Sequence, residues 1–301
     1  MWRRSRTLFD AINRVRPATL NMYKQLSRQM EAFAQENGLR FLREFDPPML
    51  QRFRASWPDH NAAALTKLWF LRAFFRFAHD CKWIEENPAS KLASPRVNRQ
   101  PSMPFTPEQV ADILSACERQ GPEIALRIEA LVPVLLYTGL RLREGVTLER
   151  AQITGDKLFL RTTKTGTPVC VLLHPFVLDA LAAVPPVSER YFFCADGSNV
   201  EAASHAWSRT LRKVFDDAAI RDGRAHRFRV TFAAELFGWG MPDESVAVLL
   251  GISKSWRTLT LIRPLGQASQ AQLDAYVLRS WESPAFKKLL ARFRNKARKT
   301  G

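Results

Sequence analysis

Twelve residues, ASPRVNRQPSMP at positions 93–104, constrain this chain more than any others. Three prolines and no apolar periodicity mark them as a linker, so the chain must fold as two bodies rather than one. The two sides also read differently. Before the linker every apolar pattern has helical period. Leu20, Tyr23, Leu26, Met30 and Phe33 form one stripe, and Leu65, Leu68, Trp69, Phe75 and Ala78 form the inward face of a helix over about 62–83. Asn87 and Pro88 end that helix. Arg72, Arg76 and His79 share another of its faces at i, i+4 and i+7. They read either as a solvated charged face or, together with Arg96 and Arg99 of the linker, as contacts to phosphate.

Beyond the linker the pattern is mixed. Thr106, Pro107 and Gln109 form a helix start with a capping box. Val110, Ile113, Leu114 and Cys117 follow with helical spacing, and a second apolar helix covers about 124–137. KLFLRT (157–162) and PVCVLL (168–173) then alternate like strands around Lys164-Thr165-Gly166, giving one β-hairpin. Helical patterns return at about 175–184, 203–219, 229–239 and 243–250. The fold class is therefore mainly α with a small antiparallel sheet. The domain reading is a basic arm over 1–16, a helical domain over 17–92, the linker, a larger domain over 105–282 and a basic tail over 283–301.

Charge selects the partner. Lys and Arg number 45 against 29 Asp and Glu, a formal charge of +16. This favours nucleic acid or another anionic surface. No run approaches the ~20 apolar residues of a membrane span. The Arg-rich start MWRRSRTLFDAINRVRP lacks the apolar core of a secretory signal. The four cysteines, Cys81, Cys117, Cys170 and Cys194, have no zinc-like spacing and read as buried thiols of a reducing cytoplasm. No metal or cofactor is expected.

Three basic elements stand in order: TGLRLREG (138–145) with Arg141, Lys164 at the hairpin tip, and HRFR (226–229) with His226 and Arg229 at a helix start. With the hairpin TKTG, the string HRFRVTFAAELFGWGMP (226–242) and VLLG (248–251), the chain resembles the tyrosine recombinase family, also called phage-integrase-type site-specific recombinases. The front end, including LRAFFRFAHDCKWIEENPASKL (71–92), is similar to that family's core-binding domain.

The resemblance implies a C-shaped clamp on double-stranded DNA, assembly as tetramers on two DNA sites, and DNA recombination or integration of the kind mobile elements use. It implies chemistry in which a tyrosine attacks a DNA phosphate, forms a 3′-phosphotyrosyl link and releases a 5′-hydroxyl. By the same resemblance Arg141 and Arg229 hold the non-bridging phosphate oxygens, as planar guanidiniums can do bidentately. Lys164 would protonate the leaving oxygen, His226 would support proton transfer, and Glu144 would orient the site.

The pattern then breaks. After VLLG the family continues with His or Trp and, about ten residues on, the nucleophilic Tyr. Here Ile252 stands at the first place and Ile262 at the second, inside ISKSWRTLTLIRPLGQAS (252–269), which holds no His, Tyr, Asp or Glu. Pro264 sits where the family has Pro, and family-like text resumes at Gln270. Preserved length with foreign composition points to two compensating frameshifts, near codons 252 and 270. A nucleotide sequence with no Tyr-containing, family-like string in either alternative frame would end that idea. Of the chain's tyrosines, Tyr23, Tyr137, Tyr191 and Tyr276, only Tyr276 lies downstream of VLLG and is the fallback nucleophile. The expectation is a DNA-binding recombinase fold with impaired cleavage. The alternatives are an active recombinase using Tyr276, a non-catalytic DNA-binding remnant, and a basic protein of RNA or an acidic partner.

Overall fold

The computed structural model describes residues 17–58, 62–94, 102–163, 166–252, 270–284 and 287. The chain divides into two units, Met1–Pro101 and Ser102–Gly301. The boundary falls inside the proline-rich stretch.

Unit 1 is helical: α1 (Pro17–Glu36), α2 (Pro47–Ala55) and α3 (Ala62–Asp80). Asp46 starts α2 by accepting the Met49 N–H at 2.7 Å, with Pro47 pre-set in the first turn. Leu26, Met30 and Phe33 of α1 pack with Leu50, Phe53, Leu68, Leu71 and Phe75 into one core. The expected inward face of α3 needs correcting at two positions. Trp69 is 56% exposed and Leu65 only partly buried, and the core takes Ala64, Leu71 and Phe74 instead. α3 is apolar over most of its circumference, so period alone does not say which side α1 covers.

Unit 2 begins with α4 (Pro107–Glu118). Its capping box is present: Thr106 Oγ1 accepts the Gln109 N–H, and Gln109 Oε1 accepts the Thr106 N–H, both at 3.2 Å. α5 (Pro122–Thr138) follows and is buried over its whole second half. Short α6 (Leu142–Val146) leads to β1 (Ile153–Thr154), β2 (Lys157–Arg161) and β3 (Pro168–Leu172), an antiparallel sheet in the order β1-β2-β3. Leu158 pairs with Val171 on the buried face, and Phe159 with Cys170 on the outer one. The third strand was not expected; two residues carry no readable alternation. α7 (Pro175–Ala182), α8 (Val200–Asp217), α9 (His226–Gly238), α10 (Asp243–Leu249) and α11 (Gln270–Ser280) complete the unit. α9 packs on α5, and α11 packs on β3 and α9.

All four cysteines are free thiols; Cys117 and Cys194 are buried, whereas Cys81 is exposed and Cys170 only partly buried, contrary to the expectation of buried thiols throughout. No helix among the described residues is long and apolar enough to cross a membrane.

Candidate phosphate-binding site

The site is assembled where three helix ends and the base of the hairpin meet. α5 stops at Gly139, whose φ of 64° is left-handed, the geometry that ends a helix without a Cβ penalty. Two residues on, Arg141 caps α6. Glu144, itself 4% exposed, accepts the Arg141 backbone N–H at 2.9 Å and the Arg141 Nη1 at 3.1 Å. Its Oε1 also accepts the Thr163 N–H at 3.3 Å, which ties the hairpin loop to the same carboxylate.

α10 ends on a second left-handed glycine, Gly251, at φ 57°. The Ile252 N–H donates back to Ala247 at 2.9 Å, the long bond of a Schellman motif. Gly251 also lies against the hairpin base: a Cβ there would sit 2.3 Å from Thr162 Cγ2 and 2.7 Å from Val169 Cγ2. A side chain is excluded on both counts, conformation and space.

Arg229 joins the two helix ends. From the first turn of α9 its Nη1 donates to the Gly139 carbonyl at 3.0 Å and its Nη2 to the Leu250 carbonyl at 2.6 Å. Both acceptors sit just past a helix C-terminus, Gly139 after α5 and Leu250 after α10, so the cation lies where helix dipoles favour it. Among the described residues these bonds use two of its five N–H groups. Arg229 is 6% exposed. Burial, and then the charge of Arg141, push its pKa down to about 10, with Glu144 opposing. It remains protonated at neutral pH.

The contacts close on themselves. Arg141 holds Glu144, Glu144 holds Thr163, Thr162 packs on Gly251, Leu250 holds Arg229, and Arg229 holds Gly139 beside Arg141. His226, one turn before Arg229, is exposed at the edge of this ring. Partial burial, then Arg229, then Arg141 hold its imidazole below the usual range. Two guanidiniums and an imidazole against one carboxylate make a preorganised anion site. Among the described residues no group of three or more His, Cys, Asp and Glu is placed to hold a metal.

Other expected site residues fall elsewhere. Lys164, Arg96, Arg99 and Ile262 lie outside the described residues, although Thr163 and Gly166 flank Lys164. Ile252 is partly buried against the unit 2 core. Arg76 is exposed on α3. Arg72 is only partly exposed, and its guanidinium donates to the Leu92 carbonyl and, at 3.2 Å, to Ser94 Oγ. Tyr137 is fully buried, and burial pushes its phenol far above the usual range. Tyr276 lies on α11, partly buried against the core. Lys157 and Asp274 anchor that helix to β2 by an ion pair of 3.0 Å.

Sequence reasoning passed over Arg227, the second residue of HRFR. It is 3% exposed and donates to Met103 O, Pro104 O, Gln109 Oε1 and Asp222 Oδ1 while lying over the Phe105 ring. It fixes the first turn of α9, and so His226 and Arg229, to the start of unit 2.

The family model for phage integrases matches residues 104–259, just over half of the chain, and stops three residues before Ile262. Among curated proteins, the chain is 28% identical over 253 residues to tyrosine recombinase XerC of Rhodospirillum centenum (77% of this chain, 73% of that one). It is 25% identical over 212 residues to XerC of Roseiflexus castenholzii (67% and 66%). Among solved structures it is similar to a lambda integrase dimer bound to a COC′ core site, with TM-score 0.65 at 17% identity over 89% of this chain and 98% of that one. The Tn1549 transposon integrase in complex with circular intermediate DNA gives TM-score 0.61 at 18% identity (88% and 95%). At such identities the structural likenesses speak for the fold alone, but the sequence match covers the segment that builds the ring of contacts around Arg141 and Arg229, and it places this chain in the phage integrase family of tyrosine recombinases.

Proposed function

We propose that this chain is a double-stranded-DNA-binding protein of site-specific recombination that grips a backbone phosphate with Arg141 and Arg229 and is impaired in strand cleavage. The observation that carries the first half is the placement of Arg229. Its guanidinium is held by two helix-end carbonyls next to Arg141, so binding an anion orders no new side chain. His226 lies beside the same position, and Lys164, outside the described residues, is the family's counterpart for the leaving oxygen. Arg76 on α3, with Arg96 and Arg99 of the linker, adds phosphate contacts from the front half. The similar proteins being recombinases and integrases supports this substrate class, as does the charge of +16. Self-association on DNA follows by analogy with the lambda integrase dimer.

The second half rests on residue chemistry. Isoleucine at 262 has no nucleophilic atom, and isoleucine at 252 can neither donate nor accept a proton. The hydroxyls of Ser253, Ser255, Thr258 and Thr260 have no carboxylate near them in sequence to serve as base. A second reading uses Tyr276, because α11 packs on α9, the helix of His226 and Arg229.

Fluorescence anisotropy with a duplex DNA tests the binding half. Affinity should fall steeply with salt, with a log–log slope of about 0.9 per neutralised phosphate. Arg141→Ala should weaken it. A salt-insensitive affinity, or one unchanged by that substitution, would end the proposal.

A further inference from the structure

The arginine stripe of α3 does not act as a set. Arg72 is turned onto its own chain: it donates to Leu92 O and to Ser94 Oγ, and its Nε is buried. From α2, Arg54 donates to the next carbonyl, Ala93 O. Leu92 and Ala89 are buried in the unit 1 core directly beneath. Three consecutive residues, 92–94, are thus fastened to unit 1 by two guanidiniums from two different helices. Residues 93 and 94 open the proline-rich stretch, and 94 is the last described residue before 102. Neighbouring Arg76 is exposed.

We infer that Arg54 and Arg72 are positioning residues that fix where the chain leaves unit 1, acting on DNA binding through that placement rather than by meeting phosphate. The inference rests on the DNA-binding reading above. A cation that neutralises phosphate and a cation that holds a chain root differ in measurable ways. The first contributes to the salt dependence of binding. The second does not, but it sets the length of chain between two units that engage one duplex. Freeing three residues lengthens that tether and lowers the effective concentration of the second unit by about twofold. It also exposes the Lys91–Leu92 peptide bond to protease.

The full chain carrying Arg54→Ala and Arg72→Ala is compared with wild type in two assays. Without DNA, trypsin cleavage after Lys91 is followed by mass spectrometry. The double variant should be cut about fivefold faster or more, the factor that loss of one net hydrogen bond carries. Arg72→Lys, which keeps the charge but loses the fork, should be cut at an intermediate rate, and circular dichroism reports whether unit 1 is still helical. With duplex DNA, the double variant should bind about twofold more weakly at an unchanged salt slope. A slope lower by about 0.9 for each arginine removed, or an unchanged cleavage rate in a folded variant, overturns the inference. Wild type that binds no DNA sinks the functional proposal instead and leaves the protease result to decide the anchoring.

Discussion

Replacing Gly251 by alanine strikes the point where Arg229 and the hairpin share one support. Two costs add. The residue has φ 57°, and a left-handed conformation costs a non-glycine residue about 1–2 kcal/mol. The new methyl would lie 2.3 Å from Thr162 Cγ2 and 2.7 Å from Val169 Cγ2, where both side chains are buried. Overpacking of that kind costs about 1–3 kcal/mol. The sum is about 2–5 kcal/mol, and at about 2–4 °C per kcal/mol for a unit of this size it lowers Tm by roughly 4–20 °C. Gly155 is the internal control. It has φ 60° with nothing within 4 Å of its added Cβ, so Gly155→Ala should lose only the conformational part, about 1–2 kcal/mol. The difference between the two variants isolates the contact of α10 with the hairpin base. Thr162→Ser in the Gly251→Ala background removes the nearer methyl and should recover part of the loss, a double-mutant coupling that urea denaturation can read. Because Leu250 O must shift with Gly251, DNA affinity should fall as well. If Gly251→Ala proves no worse than Gly155→Ala, or if Thr162→Ser recovers nothing, the closed ring of contacts is wrong.

Three further outcomes are expected. Arg229→Lys keeps a charge but cannot reach two carbonyls and a phosphate together, so duplex affinity should fall at least about tenfold, the effect of ~1.4 kcal/mol; an affinity equal to wild type would show that the fork is not used. His226 has a folded-state pKa below its ordinary value, so the unfolded chain binds the proton first and stability should be lost as pH falls below about 6.5; a bound phosphate works in the opposite sense, so DNA affinity should rise over the same window, and His226→Gln should flatten both curves. Arg76→Ala should reduce the salt slope of binding by about 0.9, and an unchanged slope would remove α3 from the DNA interface.

What could be read beforehand divides by the range of the interactions. The Thr106–Gln109 box closes over three residues and was legible. So were the helix start at His226 and the pairing of β2 with β3, since each is set by local period and turn chemistry. Arg227 was not legible, because its partners Met103, Pro104 and Gln109 lie 118–124 positions away. The same holds for Arg72 and Trp69: a helix that is apolar nearly all round does not announce which side its neighbours cover. The motif order located Arg141, His226 and Arg229, but it did not show why they hold still. That depends on two main-chain carbonyls, Gly139 and Leu250, which sequence patterns do not display. Arg227 likewise shows that a basic residue within a family motif can be structural.

The proposed function joins a phosphate grip to the loss of the nucleophile. The most direct measurement is covalent trapping: wild-type protein is incubated with a nicked suicide duplex, and a denaturing gel is read for a protein–DNA adduct. No adduct should form with wild type under conditions where the duplex is bound, and Ile262→Tyr, alone or with Ile252→His, should begin to produce one. A wild-type adduct that disappears in Tyr276→Phe would make Tyr276 the nucleophile of an active recombinase and end the reading of impaired cleavage.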